Sequence, residues 1–97
     1  MNKNNEINEI KKTITPILKK CGVKKAAIFG SVAESKNNKE SDLDIIVEFL
    51  PDKSLLNLVK LKQELEKVLK RKVDLVTYQS IHPFLRNKIL NQQKPIF

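Results

Sequence analysis

Two short stretches of the sequence carry residue types that could bind a charged ligand. Gly30 and Ser31 follow an apolar run at residues 26–29, and Asp42 and Asp44 come after ten further residues. Because side chains two apart in a strand point to the same face, both carboxylates are predicted to project toward the Gly-Ser turn. Carboxylates held this close repel each other unless a cation lies between them, and an all-oxygen site with open positions favours Mg²⁺. A glycine turn that offers backbone N–H groups beside Mg²⁺ indicates a nucleoside triphosphate.

A third carboxylate, Asp74, lies in the middle of an apolar segment at residues 72–78 that is predicted to be a strand. Alternation places Asp74 on the face opposite to its apolar neighbours, so it can share a face with Asp42 and Asp44 if the two strands pair. An unpaired charge facing a packed helix would be costly. Three carboxylates that converge are hard to explain by stability, and they favour one or two metal ions.

Each of these motifs also has a purely structural interpretation. Ser41-x-x-Asp44 fits a helix capping box, although the β-branched run that follows it and the nearby Pro51 favour a strand. Gly30-Ser31 alone would be an ordinary strand-to-helix turn, and Asp74 alone could be a paired carboxylate on an edge strand. The spacing between the Gly-Ser turn and the carboxylates favours ligand binding instead.

The elements that must position these residues follow from the hydrophobic pattern. Helices are predicted at residues 7–21, directly after Gly30, at 54–70 and at 81–91, and strands at 24–29, 43–49 and 72–78. The order α-β-α-β-α-β-α predicts an α/β (α+β) fold, a small mixed sheet of three or more strands packed with about four helices. Pro16 either kinks the first helix or starts a new turn. The leucine stripe at residues 55–69 is predicted to be core, and the last helix is predicted to turn Phe84, Leu85, Ile89 and Leu90 inward.

Size and charge limit the class of protein. The 97 residues predict a single domain over 1–97, with a formal net charge of +8 that suits nucleic acid, an acidic partner or a phosphate-rich ligand. Aromatic residues make up only 5% and do not interleave with basic clusters, so a base-stacking platform is not expected. Cys21 is the only cysteine, and no apolar run reaches membrane-spanning length. We therefore expect a cytoplasmic protein with no membrane contact, and its oligomeric state, including a homo-oligomer, stays open.

Taken together, these motifs resemble those of the DNA polymerase β-like nucleotidyltransferase superfamily. The chain is most similar to the minimal nucleotidyltransferase (MNT) domains that serve as antitoxins in HEPN/MNT toxin–antitoxin pairs. The resemblance covers about residues 23–90 and rests on Phe29-Gly30-Ser31, on Ser41-Asp42-Leu43-Asp44, and on the segment Arg71-Lys72-Val73-Asp74-Leu75-Val76-Thr77. The complete set is specific, whereas Asp-x-Asp alone also occurs in glycosyltransferases and calcium loops.

The resemblance implies a role for each motif residue. Gly30 and Ser31 would bind the phosphates of the nucleotide, and Asp42 and Asp44 would hold Mg²⁺. Asp74 would complete the metal site and accept the proton of an attacking hydroxyl. The implied reaction transfers AMP from ATP to a tyrosine of a HEPN-type RNase toxin, and this adenylylation silences the toxin.

Two positions depart from the pattern. Members of this group often carry Arg and Gly shortly after the Gly-Ser pair, where this chain has Glu34 and Ser35. A carboxylate there could repel phosphate, with Lys36 and Lys39 close enough in sequence to compensate. These departures keep open an antitoxin that neutralises its partner by binding alone. A basic nucleic-acid-binding module is a further alternative.

Overall fold

One four-stranded sheet carries the elements of the computed structural model, which describes residues 3–30 and 42–97. The helices are α1 (Lys3–Lys20), α2 (Leu55–Leu69) and α3 (Pro83–Gln92), with a 3₁₀ turn at Tyr78–Ser80, and the strands are β1 (Val23–Phe29), β2 (Leu43–Phe49), β3 (Val73–Thr77) and β4 (Lys94–Pro95). The short helix predicted after Gly30 falls on residues outside the described ranges.

The strands are ordered β3-β2-β1-β4 across the sheet. β1 runs antiparallel to both β2 and β4, whereas β2 and β3 are parallel and are connected through α2. The predicted mixed α/β fold with a parallel pair is therefore confirmed. β4 was not predicted, because two residues that include Pro95 give no strand pattern, and proline is tolerated at a sheet edge.

One face of the sheet holds most of the core. Leu43, Ile45 and Val47 of β2 are fully buried on this face, against side chains of α1 and α2 such as Ile14 and Leu65. α1 continues through Pro16 as one helix, so Pro16 lies inside the helix and does not begin a separate one. The stripe of α2 is narrower than predicted, since Val59 and Val68 are 51% and 42% exposed.

The opposite face holds a much smaller cluster. Its buried members are Ala27, Ile46 and Ile81, and its partly buried members are Phe29, Val76, Tyr78 and Ile89. The prediction for α3 is wrong at three of four positions: Ile89 packs on this cluster, but Phe84, Leu85 and Leu90 are 89%, 51% and 36% exposed. On this face, Asp44 and Asp74 stand two residues before Ile46 and Val76 in the two paired strands. The carboxylates leave only a small apolar area that a helix can cover. We call this side of the sheet the open face.

Candidate active site

The parallel pairing of β2 and β3 brings two of the predicted carboxylates side by side. Asp44 is the register partner of Asp74, so both side chains project from adjacent strands onto the open face. Their apolar neighbours, Leu43 and Val73, are partners in the same register and are buried on the other face. The sequence alternation and the pairing together place Asp44 beside Asp74, as expected if the strands paired.

Gly30 lies against the same carboxylate. It follows Phe29, which is the register partner of Asp44 on β1, and its backbone has a φ of +75°. A Cβ atom at this position would collide with Oδ2 of Asp44. Glycine is thus required here both for its backbone conformation and for the close approach to Asp44.

The electrostatics of Asp44 reflect this crowding. Its pKa is raised to about 6, first because burial removes the carboxylate from water, then because of the negative charges of Asp74 and Asp42, and last through a hydrogen bond with Asp74. Asp42 is exposed immediately before β2, yet it is close enough to contribute to this shift. Asp42 and Asp74 therefore both lie close enough to Asp44 for their charges to act on it, at one end of the sheet.

These carboxylates are chemically suited to a hard divalent cation. The donor set is entirely oxygen, and a cation beside Asp44 and Asp74 would replace their repulsion by attraction. In the part of the chain that the structure describes, however, no group of three or more His, Cys, Asp or Glu side chains is arranged so that it could hold a metal ion. Asp44 and Asp74 have the donor atoms and charge that such a cation needs, whereas a metal site formed by Asp42, Asp44 and Asp74 together stays a prediction. Ser31, Glu34, Ser35, Lys36 and Lys39 lie outside the described residues, and the predictions made for them do too.

Two contacts that the sequence did not reveal anchor the chain immediately before Asp74. The backbone N–H of Val73 donates to Oε2 of Glu66 on α2, at 2.9 Å. The guanidinium of Arg71 pairs with Glu6 of α1, at 3.3 Å, with only 12% of the Arg71 side chain exposed. The first contact depends on how α2 packs beside β3, and the second joins residues that are 65 positions apart, so no local pattern indicates either.

The opposite end of β2 and β3 carries a different feature, a cleft of about 420 Å³. It is lined by the ends of these strands and the start of α2, including Glu48, Lys53 and Tyr78. Tyr78 donates a hydrogen bond to Gln93 and lies under the Lys25 ammonium, which is 5.0 Å from its ring centroid. Burial and the charge of Glu48 raise the pKa of Tyr78. Tyr78 thus packs at a strand end, away from the carboxylates.

The described helices include none that is both long enough and apolar enough to span a membrane.

Comparison with known proteins identifies relatives over nearly the whole chain. A protein of Methanocaldococcus jannaschii named protein adenylyltransferase MJ0435 is 59% identical over 86 residues, which cover 89% of this chain and 92% of that protein. A solved structure of a minimal nucleotidyltransferase superposes with a TM-score of 0.83 at 29% identity, covering 98% of this chain and 96% of that one.

A crystal structure described as a toxin–antitoxin with AMP-PNP superposes with a TM-score of 0.78 at 25% identity, covering 90% of this chain and 72% of that chain. Residues 12–97 match the sequence family described as Polymerase beta, Nucleotidyltransferase. With the sheet, the paired carboxylates and these matches in place, the chain belongs to the polymerase β nucleotidyltransferase family.

Proposed function

We propose that this chain is an antitoxin that transfers AMP from ATP to a hydroxyl of a HEPN-type RNase toxin in an Mg²⁺-dependent reaction. The observation that carries the proposal is the register pairing of Asp44 with Asp74 beside the left-handed Gly30. Two like charges at adjacent positions reduce stability, so their placement is better explained by a ligand that needs them.

Asp42, Asp44 and Asp74 are the residues that would hold Mg²⁺. When bound, Mg²⁺ supplies positive charge that neutralises the triphosphate and the departing pyrophosphate. The raised pKa of Asp44, about 6, still leaves this carboxyl mostly ionised near neutral pH. Asp44 is therefore available as a ligand near neutral pH.

The remaining steps belong to residues of the chain. Backbone N–H groups at the turn of Gly30 and Ser31 would bind the phosphates, since the missing Cβ lets the chain approach them closely. The exposed Asp74 would accept the proton of the acceptor hydroxyl. The acceptor oxygen then forms a bond to the α-phosphorus, the bond from that phosphorus to the oxygen bridging to the β-phosphate breaks, and pyrophosphate leaves.

A protein acceptor is supported by three observations. Asp44 and Asp74 lie on the side of the sheet that α1 and α2 leave uncovered, where a large acceptor can approach. The MJ0435 relative is named as a protein adenylyltransferase, and one structural relative is a toxin–antitoxin with a nucleotide analogue. The net charge of +8 suits an acidic protein partner as well as a triphosphate.

The experiment first identifies the protein encoded by the neighbouring reading frame and, where it is a HEPN-type protein, uses it with the full chain. Labelled ATP and Mg²⁺ should yield a partner whose intact mass increases by one or more AMP units, and Asp44→Asn should abolish the increase. Asp52→Asn, which changes an exposed carboxylate in the β2–α2 turn, serves as the matched control. Undiminished transfer by Asp44→Asn would overturn the mechanism.

A binding-only antitoxin is the second candidate, and one observation favours it: among the described residues, no three carboxylates are arranged to hold one ion. In that case, the Asp42→Asn/Asp44→Asn double variant would still bind the partner and still inhibit its RNase activity. Under the enzymatic proposal, the double variant leaves the partner unmodified and its RNase activity recovers once the complex is diluted.

A further inference from the structure

The helix α3 presents large apolar side chains to solvent. Phe84 is 89% exposed and Leu85 is 51% exposed, and the helix contributes no buried residue. The Phe84 ring stacks on the ring of His82, with centroids 5.0 Å apart, so the aromatic group is held in a defined orientation at the start of the helix. Exposed aromatic side chains of this kind are typical anchors of protein–protein interfaces.

A helix in this situation gains little from its own domain. α3 has only ten residues, and isolated helices of that length are marginal in water because packing supplies most of their stability. Among residues 3–30 and 42–97, the apolar packing of α3 runs through the partly buried Ile89, in a cluster that also contains Ile81 and Tyr78. A partner that covers α3 would therefore stabilise it as well as bind it.

The segment of the chain that contains α3 carries charged side chains of one sign only. Asp74 is the last acidic residue of the sequence, and residues 75–97 contain Arg86, Lys88 and Lys94 but no Asp or Glu. A partner that matches this surface is acidic around an apolar centre. A second copy of the chain would place like charges opposite each other, and nucleic acid would leave Phe84 and Leu85 without apolar partners.

The position of α3 connects this surface to the carboxylates. Ile89 packs in the cluster that contains Phe29 and Val76, on the face that also carries Asp44 and Asp74. After α3, the chain pairs with β1 through Lys94 and Ile28, one residue before Phe29, the register partner of Asp44. A protein bound to α3 would therefore lie over the same side of the sheet as the reactive carboxylates.

We propose that α3 is the docking surface for the acceptor protein, which contacts it through an acidic surface with an apolar centre into which Phe84 and Leu85 insert. This inference rests on the proposed function, because it assigns the surface that brings the acceptor hydroxyl to Asp74. It adds a surface that binds the acceptor protein and that is separate from the residues at which the reaction takes place, Asp44 and Asp74.

The test compares Phe84→Glu with Leu56→Glu. Leu56 is 69% exposed on α2, which packs on the other side of the sheet, so the two variants place the same charge on similar apolar surfaces. With the full chain and the HEPN-type partner used to test the proposed function, Phe84→Glu should raise Kd and the KM for the partner about 30-fold or more. Leu56→Glu should change neither by more than about twofold.

Two readouts separate this inference from the proposed function. Binding of Mg²⁺ and ATP by the isolated chain, measured by calorimetry, should be the same in wild type and Phe84→Glu, as should the thermal unfolding midpoint. Normal docking and transfer by Phe84→Glu would overturn the docking surface while leaving the nucleotidyltransferase intact. Absence of transfer and of partner binding in the wild type would overturn both.

Two other occupants are outcomes of the same experiment. If Phe84→Glu converts a dimer of the chain alone into a monomer, α3 is a self-association surface and the inference is wrong. If a short RNA binds the wild type tightly at physiological salt, and this binding is lost in Phe84→Glu, the surface serves nucleic acid and the inference is again wrong.

Discussion

The two faces of the sheet differ in what their residues do. The face under α1 and α2 holds most of the buried apolar residues of β1, β2 and β3, whereas the open face pairs Asp44 with Asp74 and carries a helix with exposed Phe84. Residues of the same three strands thus serve both purposes, because neighbouring side chains point to opposite sides. The comparison teaches that stability is concentrated on one face, which leaves the other face free for charged and exposed groups that reduce it.

The largest effect is expected for loss of AMP transfer when a carboxylate of the open face is replaced. Asp44→Asn keeps the shape of the side chain but removes its charge, and transfer of AMP to the partner should fall at least about 1,000-fold, as for loss of a strong electrostatic group. Intact-mass analysis of the partner after timed incubation measures the rate. Asp52→Asn is the control, and a comparable loss in that variant would show that general charge, rather than this position, matters.

Substitutions of buried side chains on the face under α1 and α2 should lower stability, whereas substitutions of exposed side chains on the open face should leave it nearly unchanged. Leu65→Ala removes a fully buried side chain of α2 and should lower the free energy of unfolding by about 2–5 kcal/mol. Phe84→Ala on the open face, where the ring is 89% exposed, should change it by less than about 0.5 kcal/mol. Urea denaturation measures both. Equal losses would contradict the division of labour between the faces.

A comparison of two glycines separates the effect of a substitution on AMP transfer from its effect on backbone strain. Gly30 and Gly22 both have positive φ, but a Cβ at Gly30 would strike Asp44, whereas one at Gly22 would meet the flexible side chain of Lys53. Replacement by alanine should cost each about 1–2 kcal/mol of stability. Only Gly30→Ala should also reduce AMP transfer, because it displaces Asp44. Equal transfer by both variants would show that Gly30 is structural alone.

The smallest effect is on stability against pH in the absence of divalent ions. Because the pKa of Asp44 is raised to about 6, ionisation is less favourable in the folded state, so stability present below about pH 4 is lost as pH rises through 6. Near pH 7.5, Asp44→Asn should therefore be more stable than wild type by about 1 kcal/mol, a discounted value since the group is partly solvated. Thermal unfolding at pH 4 and 7.5 tests this, and a pH-independent difference would contradict it.

Much of the site could be predicted because its determinants are local. The β-branched run after Asp44 gives β2 the bounds Leu43–Phe49 that the pattern predicts, and period-two alternation then assigns Asp44 and Asp74 to one face. Ser54 lies at the N-cap of α2, where its backbone N–H donates to Oδ1 of Asn57, three residues along the chain. Whether these two strands pair was left open by the sequence, and the structure shows that they do.

The rest depended on contacts between distant residues. The ion pair of Arg71 with Glu6 joins the turn before β3 to the first helix, and the hydrogen bond from Val73 to Glu66 depends on how α2 packs. The exposure of α3 was missed for a related reason. Apolar residues in a helix predict an inward face only if the sheet offers enough apolar surface, and the row of carboxylates removes it here.

A crystal structure of the chain with Mg²⁺ and AMP-PNP tests the central claim most directly. We predict a metal ion bound by Asp44 and Asp74, with the phosphates of the nucleotide on the backbone of the Gly30 turn. A nucleotide bound instead in the cleft beside Tyr78, with Asp44 and Asp74 still hydrogen-bonded to each other, would contradict it.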